Sequence, residues 1–343
     1  MESWDSWLIS TFARALAFST PLLWAALGEI YAERSGVVNL GVEGMMIIAA
    51  IIAFATAFGT GSILLALTLA ALVAGLAALL HAFISITLQG NQYISGLALT
   101  ILGLGLAGLI GRGYEGKPLK NPMESIDVPL LADIPILGPA LFQDQHLLTY
   151  LGLIVAVILW FVLYKSRLGL VLRSVGENPK AADSAGINVS LVRYGAVIFG
   201  GIMAGVAGAF LSLAYRPSWS EGMTAGMGWI ALAITIFALW HPLRAIFASV
   251  LFGAFFHLSF RLQGLVLGFF CQSDAGWQFA TLSKQGDASA AICQSSLTFS
   301  AEILKLLPYV FTIIALTLTS LSKGKGAFGA PEALGLPYQR SKR

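Results

Sequence analysis

Charge is what this chain has least of. Asp, Glu, Lys and Arg together make up 11% of its 343 residues, whereas 57% are hydrophobic. Soluble chains carry about 25% charge, so a water-facing surface of ordinary size cannot be built from this set. Cysteine is scarce too, with only Cys271 and Cys293. No H-E-x-x-H pair or Cys/His cluster is present to hold a metal, and His81, His146, His241 and His257 stand far apart in the sequence. No G-x-S-x-G elbow occurs. Nor is there a G-x-x-x-x-G-K-S/T loop to cradle phosphates, so any ATP used must be bound by another chain. An enzyme is not expected, and neither is a metal or cofactor on this chain. The first residues include Glu2 and Asp5 with no base ahead of the apolar run, unlike the n-region of a cleaved signal peptide.

What is present is apolar sequence in runs of about 20 residues, the length that crosses ~30 Å of hydrocarbon. Spans are expected at residues 8–27, 41–58, 62–86, 91–110, 146–164, 194–215, 225–240, 245–262 and 301–321. The expected fold is therefore all-α, a polytopic transmembrane helical bundle of about nine spans (8–10 at the limits) in one transmembrane domain over residues 1–343. Placing the N-terminus outside gives the inner segments 12 of the 20 basic residues and 5 of the 17 acidic ones. The positive-inside rule selects that orientation, with the C-terminus cytoplasmic. Residues 165–193 then form a cytoplasmic loop and residues 263–300 an extracytoplasmic one. An oxidising exterior would permit a disulfide between Cys271 and Cys293, although free thiols fit the sequence nearly as well. The net charge of +3 reflects orientation in a membrane and not affinity for nucleic acid.

Three polar stretches interrupt the apolar pattern. Residues 28–44, GEIYAERSGVVNLGVEG, set Glu29, Glu33, Arg34, Asn39 and Glu43 between two apolar runs. So many polar groups need water, a cavity or one another, and Gly36, Gly41 and Gly44 permit unusual backbone. A broken helix lining a path and a plain cytoplasmic turn both fit. Glu33 and Arg34 are expected to neutralise each other, and Asn39 is the better path-lining candidate. The second stretch holds Asn91, Gln92 and Ser95 at the start of a span, where amides suit a neutral hydrogen-bonding solute. Capping of the helix by Asn91 is the competing explanation. In the third stretch, Asn178 is a good N-cap, Pro179 suits the first helical position, Ala181 and Ala182 propagate and Gly186 stops. So short a helix is marginal alone. With Lys180 and Asp183 for polar contacts it has the look of a docking element, and an ordinary capped loop is the alternative.

These stretches, with NQYISGLAL (91–99), DIPILGPALF (133–142), GMTAGMGWIALA (222–233) and PEALGLPYQR (331–340), resemble the permease subunits of ABC importers. The similarity is to the branch serving branched-chain amino acids, simple sugars and nucleosides, and most of all to the nucleoside type. The resemblance implies an inner-membrane transport subunit that works with a second related permease, two cytoplasmic ATPase subunits holding ATP and Mg, and an extracytoplasmic substrate-binding protein. It implies that residues 178–187 are the coupling helix, with Asn178, Pro179, Ala181, Ala182, Asp183 and Gly186 in that role. Ala238 and Arg244 stand where the family pattern leads one to expect glycine. An ion-coupled carrier would need a relay of buried ionisable groups, for which Arg14 and His257 make a poor pair. Asn39, Asn91, Gln92 and Ser95 favour a neutral polar cargo, which sugars, neutral amino acids and nucleosides all satisfy; the resemblance selects nucleosides.

Overall fold

A computed structural model describes residues 4–135, 138–262, 265–273, 276–284, 292–298, 306, 310–314, 317 and 330–339. Among these the helices are α1 (Trp4–Arg34), α2 (Val42–Thr60), α3 (Ile63–Ala82), α4 (Gln92–Gly111), α5 (Leu147–Lys165), α6 (Arg167–Glu177), α7 (Pro179–Ser184), α8 (Val189–Phe210), α9 (Met227–Phe237) and α10 (Pro242–Leu262). Five-residue π turns, Phe83–Thr87 and Leu211–Tyr215, prolong α3 and α8. Between α4 and α5, strand β1 (Ser125–Ile126) pairs antiparallel with β2 (Gln145–His146). The expected loop at 263–300 instead carries a small antiparallel sheet of β3 (Leu265–Ser273), β4 (Gly276–Lys284) and β5 (Ile292–Thr298), in the order β4-β3-β5. Its register makes Cys271 and Cys293 direct partners across β3 and β5.

The helical bundle agrees with expectation, and seven helices among the described residues are long and apolar enough to cross a membrane. The expected span at 225–240 is a different object. Only α9 is helical there, and its 11 residues reach about 16 Å at ~1.5 Å per residue, half a bilayer core. Left-handed backbone closes it off at both ends, with Ala225 and Gly226 before it (φ 46° and 82°) and Leu239 and Trp240 after it (φ 54° and 53°). Apolar composition counts residues and cannot see that the backbone turns. The expected span at 301–321 lies mostly outside the described residues.

Small residues let the central helices approach closely, as packing in lipid requires. Gly28 of α1 faces Gly200 of α8, Gly205 of α8 faces Ala70 and Ala74 of α3, and Gly208 lies on the main chain of Met46 in α2. Gly44 of α2 and Gly103 of α4 meet backbone to backbone. Away from this seam α4 leaves Leu97, Ile101 and Leu109 exposed, and similar bare apolar faces occur on α3 (Leu64, Leu72) and α5 (Ile154, Phe161). Such faces suit hydrocarbon.

The same contacts set relative depth. Arg193, near the start of α8, donates from Nε to the Ser35 carbonyl at 3.1 Å, so α1 ends beside the beginning of α8. Ser212 Oγ donates to the Ala50 carbonyl at 2.7 Å, and Met46 sits against Gly208. Val189 and Gly208 are about 28 Å apart along α8 at ~1.5 Å per residue. Helix α2 therefore begins midway along the bundle, and residues 35–41 reach it as buried, non-helical chain.

Leucine at Gly208 would drive its side chain into the α2 backbone, an overpacking cost of at least about 1–3 kcal/mol. A Cβ on Gly105 of α4 would meet nothing within 4 Å. Thermal unfolding in detergent should thus show a clear loss for Gly208→Leu and none for Gly105→Ala; equal midpoints would contradict the packing.

Candidate functional site

Two membrane passages are interrupted, and the breaks meet. On the first passage, α1 gives way to residues 35–41, whose polar groups are satisfied by neighbouring helices. The Val38 amide donates to Gln92 Oε1 at 2.8 Å, and the Val38 carbonyl lies 3.1 Å from His81 Nε2. The other ring nitrogen of His81 is 3.0 Å from Ser95 Oγ. Thr100 Oγ1 donates to the Leu40 carbonyl at 2.9 Å. Gly36 has φ 92°, and a Cβ there would lie 2.8 Å from the Arg193 guanidinium. Residues 35–41 thus form a non-helical break whose free backbone groups are surrounded and bonded by protein.

On the second passage, residues 216–226 hold on to the α4–α5 connection, with the Leu119 amide donating to the Pro217 carbonyl at 2.8 Å. The chain then turns into α9, whose first turn points at Glu43 in the first turn of α2. One carboxyl oxygen of Glu43 accepts from Thr224 Oγ1 at 2.6 Å and from the Gly226 amide at 2.9 Å. The other accepts from the Gly228 amide at 2.7 Å. All three partners donate to the carboxyl oxygens. Helix N-termini carry partial positive charge, and here those of α2 and α9 converge on one buried acid. Gly228 is required for the approach, since a Cβ there would come within 2.6 Å of the Glu43 main chain.

At the far end of α9, Thr235 Oγ1 lies 3.4 Å from the Ala26 carbonyl of α1, and Trp240 Nε1 donates to Glu33 Oε2. Arg34 donates to the carbonyls of Trp240 and Leu239 at 3.3 and 3.4 Å and stands 4.0 Å from Glu177. The expected Glu33–Arg34 pairing is thus replaced, because adjacent residues of a helix point in different directions. The left-handed pair Leu239 and Trp240 follows Ala238 and makes the turn after α9 without the glycine expected there. Beside it, burial and the guanidinium groups of Arg244 and Arg34 hold the His241 imidazole below its ordinary pKa.

Helix α7 forms where the sequence indicates. Asn178 Oδ1 accepts from the Ala181 amide at 3.0 Å, Pro179 occupies the first turn, and Gly186 (φ 84°) ends it. Ala182 is buried with Val175 and Val189, while Ala181, Ala185 and Gly186 are exposed. A cleft of about 500 Å³ opens beside α7, lined by Thr87, Gln89, Asp183, Gly186, Asn188 and Tyr338 among others.

Of the proposed path residues, Gln92 and Ser95 are buried against the unwound segment. Asn39 is fully buried as well, its Oδ1 accepting from the Gly41 amide at 3.0 Å in a local turn. Asn91 stands apart as the N-cap of α4, accepting from the Tyr93 and Ile94 amides. Sequence reasoning passed over Glu43 as a site residue. The available signal was an acid beside an apolar run together with the glycine-rich GMTAGMG, which promises left-handed turns.

Replacing Glu43 by Gln puts an NH2 group where one oxygen now accepts, so that donor faces donor. The loss should be about 1–3 kcal/mol, the cost of leaving a buried polar group unsatisfied. Denaturation of the detergent-solubilised protein measures it, and an unchanged midpoint would mean the carboxyl group does not hold α9.

The family described as "Branched-chain amino acid transport system / permease component" matches residues 11–267. A Haloferax volcanii protein provisionally named a glucose ABC transporter permease is 37% identical, over 94% of this chain and 95% of its own length. The nucleoside ABC transporter permease of Lactococcus lactis is 35% identical and the guanosine ABC transporter permease of Bacillus subtilis 34%, each over 96% of both chains. No solved structure matches the chain. The interrupted passages, the punctuated α7 and these similarities lead to one assignment: the chain belongs to the branched-chain amino acid transport system permease family of multi-pass membrane proteins.

Proposed function

We propose that this chain is the permease subunit of an ATP-driven importer of nucleosides, oriented with its N-terminus outside and its α7 end in the cytoplasm. ATP and Mg belong to ATPase subunits that dock on α7, a second related permease completes the membrane domain, and a separate binding protein delivers the solute. The observation that carries the cargo class is Glu43. In broken-helix carriers the half-helix N-termini attract anionic groups of the substrate. Here that position is filled by the chain's own acid, which leaves no anion cradle and favours a neutral solute. The relatives named for nucleosides and guanosine support the choice within that class. The relative named for glucose favours a sugar as the second reading. Gln92 and Ser95, beside the unwound segment, are the polar groups we assign to the path, with Asn39 shaping its turn and Asn91 framing α4.

Proteoliposomes containing all partners, offered labelled guanosine, glucose and leucine in parallel, test this. ATP-dependent uptake of guanosine, without entry of or competition by its monophosphate, is expected. Uptake of glucose or leucine alone would overturn the nucleoside reading and leave the permease assignment. In the same assay Asp183→Arg and Gly186→Trp should abolish uptake and weaken co-purification of the ATPase; full uptake by both would remove the docking role of α7.

The orientation places β3 and β5 outside, where we propose that Cys271 and Cys293 are bridged. Facing positions on paired strands lie within disulfide reach, and closing the intervening loop is worth roughly 3 kcal/mol. Alkylation of fresh membranes without reductant, read by mass spectrometry, should modify neither cysteine. Two alkylated thiols would refute the bridge, and labelling from the cytoplasmic side alone would refute the orientation.

A further inference from the structure

Residues 330–339 have no part in the function described so far, although their sequence is distinctive and their contacts are many. The segment lies across the α7 end of the bundle and bonds to four separate places. Its Ala333 amide donates to the Gly176 carbonyl at the end of α6 at 2.9 Å. Its Gly335 amide donates to the Gly36 carbonyl in the unwound segment at 3.1 Å. Arg193 of α8 donates from Nη1 to the Leu336 carbonyl at 3.2 Å while its Nε holds the Ser35 carbonyl at 3.1 Å. Gln89, between α3 and α4, donates to the Tyr338 carbonyl at 3.4 Å and accepts from Gln339 Nε2 at 2.7 Å.

Packing follows the same line. The Tyr338 side chain lies on the cluster of Val175, Ala182 and Val189, directly beneath α7. Ala333 is buried, and a Cβ on Gly176 would meet both the Arg34 carbonyl and Pro331. Gly335 (φ 75°) passes so near Tyr93 of α4 that a Cβ would come within 3.1 Å of its hydroxyl. One end of the segment therefore packs under α7, its middle bonds the Gly36 carbonyl, and Arg193 bridges it to the Ser35 carbonyl. The direct alternative between α6 and α1 is the Arg34–Glu177 pair, 4.0 Å apart with Glu177 half exposed, which is a weak link.

From this geometry we propose that residues 330–339 are a tie that passes displacement of α7 to the unwound segment 35–41, and so converts docking of the ATPase into movement of the path. The proposal rests on the docking role assigned to α7. The unwound segment has few regular main-chain bonds of its own, so it deforms more readily than a helix, and the tie holds its Gly36 carbonyl directly and its Ser35 carbonyl through Arg193. Coupling between sites is carried by packed elements with two arrangements, and severing the link uncouples them without removing either.

The test uses the complete complex in proteoliposomes, with ATP hydrolysis and guanosine or glucose uptake measured together, using whichever solute the unaltered complex takes up. Tyr338→Ala loosens the tie at α7, Arg193→Met cuts it at residues 35 and 336, and Tyr338→Phe retains the packing. For the first two, ATP hydrolysed per solute imported should rise at least about fivefold, the lower end of ordinary coupling between sites, with the ATPase still co-purifying. Tyr338→Phe, which keeps the ring on Val175, Ala182 and Val189, should raise the ratio less than Tyr338→Ala. An unchanged ratio, whether both rates fall together or neither falls, would overturn the tie. Asp183→Arg, run alongside, reports on the docking role separately, through loss of ATPase co-purification.

Discussion

The carboxyl group of Glu43 holds two interrupted passages against each other in the middle of the bundle. It belongs to the first turn of α2, and its three hydrogen-bond donors come from the turn that opens α9. A buried acid left unpaired would cost several kcal/mol, and so would the exposed amides of a helix start in a place without water. Each problem cancels the other. Because α2 runs away from this point toward one face and α9 toward the opposite face, the junction is also where the helical parts of the two passages overlap least.

Around that junction the bundle divides into a close-packed part and a part tied by polar bonds. Helices α1, α2, α3 and α8 meet through glycine and alanine with backbone contact, leaving little room for one to shift against another. The irregular segments are held by side chains instead: His81, Gln92 and Thr100 on residues 38–40, Arg193 on residue 35, and Arg34 on residues 239 and 240. The left-handed Leu239 and Trp240 cost about 1–2 kcal/mol each, offset by bonds from Arg34 and to Glu33. A transporter needs such a division, with rigid bodies joined by segments that have more than one workable arrangement.

Much of this was legible in the sequence, for local reasons. Span positions follow from run length, and α7 follows from Asn178, Pro179 and Gly186, whose capping chemistry acts over a few residues. The interruption at residues 35–41 was one of two readings that the polar stretch allowed. The half-helix α9 was hidden, because residues 225–240 are as apolar as a full span and the turns at 225–226 and 239–240 include Ala, Leu and Trp in a conformation they rarely adopt. Arg34 and Glu33 were misjudged because their partners, Trp240 and Glu177, lie more than a hundred residues away. Asn91 and Asn39 show the limit of residue type as a guide, since an amide that caps or turns a chain looks the same in sequence as one that greets a solute.

The separation between Glu43 and its partners has a consequence for biosynthesis. Thr224, Gly226 and Gly228 follow it by 181 to 185 residues. At about 5–20 residues per second, the ribosome needs roughly 10–40 s to supply them after α2 has emerged. During that wait α2 must either carry an uncompensated acid into lipid or remain beside the insertion machinery until α9 arrives. The nascent chain thus has a built-in reason to postpone release of its second helix, and the order of membrane integration need not follow the order of synthesis.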